Sequence, residues 1–110
     1  MTKKKATGKR GSWFADVDGE SLPCVHKHWW KGGRYDDPQV KPGSPKDEEL
    51  VTAIQQLGRV VLTDDTPYDA GEGKTGFTRV GYIAVYSVDD IAFDENGLRF
   101  RFLSRLQDLK

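Results

Sequence analysis

A chain of 110 residues with 31% charged and 36% hydrophobic residues is one domain with a small core. It has no apolar run long enough to span a membrane, and a charged N-terminus without an apolar segment gives no sign of a secretory signal, so a cytoplasmic location is expected. A single cysteine excludes an internal disulfide, and the formal net charge of zero divides into +5 over residues 1–46 (ten Lys/Arg, five Asp/Glu) and −5 over residues 47–110 (seven and twelve).

In chain order, residues 1–11 lack periodicity and read as a disordered basic tail carrying Lys3, Lys4, Lys5, Lys9 and Arg10, ahead of a single globular domain over 12–110. Ser12 to Val17 reads as a strand, Asp18-Gly19 as a hairpin turn and Glu20 to Trp30 as a second strand, which Pro23 restricts to an edge or a bulge. Lys31 to Ser44, rich in Gly and Pro, reads as a loop. Ser44 then caps a helix from Pro45 to Leu57, with Pro at the first position and Asp47, Glu48 and Glu49 opposing the helix dipole. Leu50, Val51, Ile54 and Leu57 form its apolar stripe, and Gly58 suits the left-handed C-terminal position.

Arg59 to Thr63 is the next expected strand, followed by an acidic, Gly-rich loop over Asp64 to Gly76 whose length marks it as mobile or functional. Phe77 to Leu103 then reads as two or three strands. Residues on both faces of Val80 to Val88 are apolar, as in a strand covered on both sides, and Asp94-Glu95-Asn96-Gly97 is a turn. Phe100 and Phe102 alternate with Arg99 and Arg101, and Ser104 to Lys110 suits either a strand or a helical turn. The expected order is β-β-α-β-β-β in an α+β domain. A bent antiparallel sheet or small barrel with one flanking helix is the architecture that buries such a sheet.

Two constellations carry chemistry. Cys24, His26 and His28, spaced two apart, share one face of a strand and are all transition-metal ligands, so zinc is a candidate cofactor if a carboxylate completes the site. The reading preferred here is that Cys24 packs as an apolar residue and both histidines lie at the surface. Trp13, Phe14, Trp29, Trp30 and Tyr35 lie among Lys27, Lys31 and Arg34, a mixture of rings and cations that suits stacking on single-stranded RNA or DNA. Residues 68–75 end like a phosphate-binding loop, but Tyr68 stands where that loop needs Gly, and a strand rather than a helix follows. Asp64, Asp65, Asp69 and Glu72 lack the spacing of a calcium loop.

The segments RVVLTDD (59–65), YIAVYSVDDIAF (82–93) and GLRFRFLSRL (97–106) together resemble the second half of the small PUA-like barrels, the superfamily that includes EVE and ASCH domains. The resemblance covers under half the chain and implies a barrel that binds RNA or a modified base. It assigns no residue a role. The function expected is therefore non-enzymatic binding of nucleic acid or a nucleotide-like ligand, with a metal-dependent enzyme or a protein-interaction module as alternatives.

Overall fold

The computed structural model describes Ala6, Thr7 and residues 13–109. Among these are eight strands and one α-helix: β1 (Ala6–Thr7), β2 (Phe14–Val17), β3 (Glu20–His26), β4 (Trp30–Lys31), β5 (Arg34–Asp37), α1 (Pro45–Leu57), β6 (Arg59–Gly71), β7 (Lys74–Asp94) and β8 (Gly97–Asp108). They form one open sheet in the order β1-β2-β3-β6-β7-β8-β5-β4, not a closed barrel. All pairings are antiparallel except β3 with β6, whose parallel register sets Cys24 against Val61 and His26 against Thr63.

β2, the Asp18-Gly19 turn and the helix lie where the sequence places them. Asp18 and Gly19 both have positive φ, and Gly58 ends α1 at φ 64° with its N–H donating to the Ile54 carbonyl. The N-terminus of α1 differs from expectation. Ser44 makes no side-chain cap. Instead, Asp47 Oδ2 accepts from Lys41 N–H and Glu48 Oε2 from Gly43 N–H, so the first-turn carboxylates hold the incoming loop. Leu50, Val51 and Ile54 are buried, whereas Leu57, assigned above to the apolar stripe, is 36% exposed at the helix end.

Four expectations change. Ala6 and Thr7, within the expected disordered tail, pair with Val17 and Asp16 as β1. The tail's Lys3, Lys4, Lys5, Lys9 and Arg10 lie outside the described residues. The second strand stops at His26, because Lys27–Trp29 forms a 3-10 turn. The expected loop after Trp30 begins with a further hairpin, β4–β5, turned at Gly32 and Gly33. The expected loop 64–76 is a ribbon: β6 runs on to Gly71 and β7 starts at Lys74, so only Glu72 and Gly73 turn the chain. Tyr68 lies opposite Gly76, and its ring covers the glycine so closely that a Cβ there would meet it at 2.3 Å. Such a ring over a strand glycine fills the place of the missing side chain.

Pro23 lies in β3, an internal strand, and is tolerated for a local reason. At Pro23 the sheet extends only to Phe14 of β2, since pairing with β6 covers Cys24–His26, so no second ladder needs its N–H.

Side-chain alternation divides the core in two. Val60 and Leu62 of β6 join Val25, Tyr35, Val40, Leu98, Phe100 and the α1 residues in the larger cluster. Val61 points the other way, into a smaller cluster with Ala15, Val17, Leu22, Cys24, Val85 and Leu109. No described helix is long and apolar enough to cross a membrane.

Candidate functional site

A cavity of about 250 Å³ opens beside the root of the β6–β7 ribbon. Cys24 and His26 of β3 form one wall, and Trp13 stands before β2 at its side. Asp37 and Gln39 come from the end of β5, Asp65 from β6, and Thr75, Gly76, Phe77 and Arg79 from β7.

Asp65 is the central group. Two shifts in the β6–β7 register precede it, one between Leu62 and Thr63 and one between Asp64 and Asp65. Such bulges re-aim side chains within a ladder. Its side chain is 1% exposed. Oδ2 accepts from His26 Nδ1 at 2.7 Å and from the Thr63 hydroxyl, which also lies 3.2 Å from the Val25 carbonyl. Burial pushes the Asp65 carboxyl up, but the hydrogen bonds from His26 and Thr63 and the charges of His26 and Arg79 outweigh it and hold the group below its ordinary range. The second oxygen, Oδ1, is buried without a hydrogen bond. Arg79 Nε stands 3.9 Å from it, too far to donate, and Arg79 Nε and Nη1 are likewise buried and unpaired.

Because a carboxylate only accepts, His26 carries its proton on Nδ1 when neutral, and its Nε2 is a lone-pair acceptor. The ring is held from the side by Phe77, stacked at 4.1 Å, and remains 24% exposed. Its backbone N–H donates to the Tyr35 hydroxyl at 3.3 Å, and that hydroxyl donates to Asp37 Oδ2 at 3.0 Å. Burial raises the Asp37 carboxyl, and hydrogen bonds from Gln39 N–H and Tyr35 offset this only in part. The cavity thus holds two carboxylates whose environments move them in opposite directions. Burial likewise pushes the Cys24 thiol up to about 11.

Gln39 fixes the ribbon over the cavity. Its amide donates to the Thr75 carbonyl at 2.9 Å and accepts from Thr75 N–H at 2.7 Å, as a neighbouring strand would. Gly97 fixes Asp37 from behind: a Cβ there would meet the Asp37 carbonyl oxygen at 2.2 Å, and its φ of 113° excludes other residues.

The residues singled out from sequence are distributed as follows. Cys24 and His26 share the cavity wall. The 3-10 turn takes His28 off that strand face and sets it edge-on against Trp29, and no group of three potential metal ligands forms among the described residues. Trp13 reaches the cavity, whereas Tyr35 is buried and contributes its hydroxyl rather than a stacking face. Trp29 is partly buried against the larger core, and Trp30 is 44% exposed on β4. Lys27 pairs with Asp64 at 2.9 Å and Arg34 with Asp90 at 3.2 Å, while Lys31 lies exposed on β4. Trp30, Lys31 and Arg34 thus sit together on the β4–β5 hairpin, Lys31 directly opposite Arg34, while Trp13 lines the cavity and Tyr35 is buried. The arginines of β8 are also neutralised, Arg99 by Asp94, Arg101 by Asp89 and Arg105 by Asp108.

Asp65, Arg79, Asp37 and Gln39 were not legible as site residues. Asp65 and Arg79 sit opposite each other in the register, 14 positions apart in sequence across a turn that reads as a loop, so only the ribbon pairing brings them together. No family model matches the chain, and neither curated proteins nor solved structures provide a match.

Proposed function

We propose that the domain binds a nucleotide-like ligand, free or within RNA or DNA, and that the cavity beside the ribbon receives its base. The observation that carries this reading is the lining of the cavity, which brings the Asp65 and Asp37 carboxylates, the Arg79 guanidinium and Gln39 to one small space. A ligand presenting a donor beside an acceptor can pair with a carboxylate and a cation set side by side. Heterocyclic bases carry both on one edge. The cavity, at about 250 Å³, is smaller than the space a drug-sized molecule fills, which suits a single ring system. Phe77 and Trp13 supply apolar walls. Two carboxylates beside one arginine disfavour a phosphate inside the cavity and leave it at the mouth.

Titration of intrinsic Trp fluorescence with nucleosides, nucleotides and short single strands tests the proposal. Saturable binding is expected. Asp65→Asn and Arg79→Gln should each weaken it about tenfold or more, as the loss of one hydrogen bond to a charged group does. No saturable change with any of the three ligand sets at low salt overturns it.

A further inference from the structure

The same cavity holds more than binding requires. A binding wall needs donors and acceptors, but it does not need an imidazole whose tautomer is fixed by a buried carboxylate. His26 Nδ1 is held by Asp65 at 2.7 Å, Asp65 is itself held by Thr63, and Phe77 stacks on the ring at 4.1 Å. This leaves Nε2 as a proton acceptor in a fixed orientation, the arrangement general-base catalysis uses. Arg79 lines the same cavity with its side chain 19% exposed, and a cation placed in advance stabilises negative charge that develops during a reaction.

We infer that the cavity hydrolyses a neutral carboxylic ester, with water as nucleophile, His26 as the proton acceptor and Arg79 as the donor to the oxyanion. This inference shares the cavity with the binding proposal but does not depend on a nucleotide-like ligand. The water oxygen forms a bond to the carbonyl carbon as its proton passes to His26 Nε2. The carbonyl π electrons move to oxygen, which Arg79 N–H groups receive. Collapse of the tetrahedral intermediate restores the carbonyl and breaks the bond to the alcohol oxygen, which takes the proton back from the imidazolium. The products are a carboxylic acid, which ionises, and an alcohol, and no oxidant or cofactor is consumed. Asp65 is a positioning residue: it acts through His26.

Three features choose this chemistry over its neighbours. Asp37 and Asp65 repel an anionic phosphoester, so the substrate is neutral. Cys24 lies buried in the wall, and its thiol keeps its proton at neutral pH, so water rather than sulfur attacks. One imidazole both takes and returns the proton, which suffices for an alcohol leaving group.

The test uses the full chain and 4-nitrophenyl acetate. The expected result is saturable release of nitrophenolate well beyond one equivalent per protein, which separates turnover from acylation of a thiol. His26→Ala should lower kcat about 100-fold or more, the contribution of a positioned general base, and added imidazole should restore part of the rate beyond its own reaction with the ester. Asp65→Asn should lower kcat with KM little changed in protein shown by circular dichroism to be fully folded, because an unfolded fraction alone would lower apparent kcat in the same way. Should His26→Ala fail to fold, diethylpyrocarbonate treatment of the native chain replaces it: inactivation should follow modification mapped to His26 and not to His28. Release that stops at one equivalent, or a folded His26→Ala with the native rate, overturns the inference, as does inactivation that follows His28. A chain that binds nucleosides without turning over the ester sinks this inference alone, and the converse result sinks only the binding proposal.

Discussion

The β6–β7 hairpin contains two regions built on one ladder and differing in almost every other respect. At its base, Val60, Val61, Leu62, Thr63 and Ala84 are fully buried, and Val85 beside them nearly so, each face sealed by one of the two clusters. Beyond Asp65, every residue from Thr66 to Glu72 is exposed, and the strands hold by backbone pairing and by the hydrogen bonds between Gln39 and Thr75. The same hydrogen-bond pattern is therefore rigid core at one end and solvated ribbon at the other. What changes is the apolar area each residue removes from water, and the cavity sits at the boundary. A site at that boundary has one wall fixed by packing, with Cys24, His26 and Asp65, and another held by a few polar contacts, with Thr75 and Phe77.

Substitutions along this gradient sharpen the contrast. Leu62→Ala, at the base, should destabilise by about 2–5 kcal/mol in denaturant unfolding, as large-to-small changes in a packed core do. Asp65→Ala, at the boundary, should cost about 1–3 kcal/mol, because His26 and Thr63 lose a buried acceptor. Its pH dependence identifies the cause. The folded-state pKa of Asp65 lies below the unfolded value, so its contribution is present above about pH 4 and is lost as pH falls through the folded pKa. The difference between native and Asp65→Ala proteins should therefore narrow on acidification. Gln39→Ala, which removes both contacts to Thr75, should cost about 0.5–1.5 kcal/mol and speed hydrogen exchange at Thr75 without affecting the base amides. Tyr68→Ala, far out on the ribbon, should change stability by about 0.2–1 kcal/mol, the range of one cross-strand contact. If Tyr68→Ala cost as much as Leu62→Ala, the ribbon would be part of the core and the gradient absent.

The gradient also explains what could be read from the sequence. Burial leaves a mark in composition, so Val60, Val61 and Leu62, the Leu50/Ile54 stripe and the alternation around Phe100 identified the helix and the central strands. The ribbon buries too little to leave such a mark. Thr66 to Gly73, with two glycines and two acidic residues, has the composition of a loop, and its strand character comes from pairing with Lys74 to Thr78 across the turn. The short β4–β5 hairpin was hidden likewise, although Gly32-Gly33 between Trp30 and Arg34 is a turn signal. Of the site, Cys24 and His26 stood out by residue type. His28 shared their spacing but not their strand, because the period-two argument holds only while the chain stays extended. Asp65 and Arg79 looked like ordinary charges of an acidic loop and a strand. Their role depends on bulges and register, which residue type does not encode.

The parallel pairing of β3 with β6 has a consequence for the order of assembly. The meander from β6 to β8 closes through two tight turns, so its contacts are local and form early. Val25 and Thr63, by contrast, are 38 residues apart, and β4, β5 and α1 lie between them. Closing that span carries an entropy cost before any contact offsets it. The strand that delivers Cys24 and His26 is therefore expected to dock late, onto a meander already holding Asp65 and Arg79. Pulsed hydrogen exchange during refolding checks this: the β6–β8 amides should gain protection before those of Cys24 to His26, so that a chain stalled between the two has most of its sheet but no site.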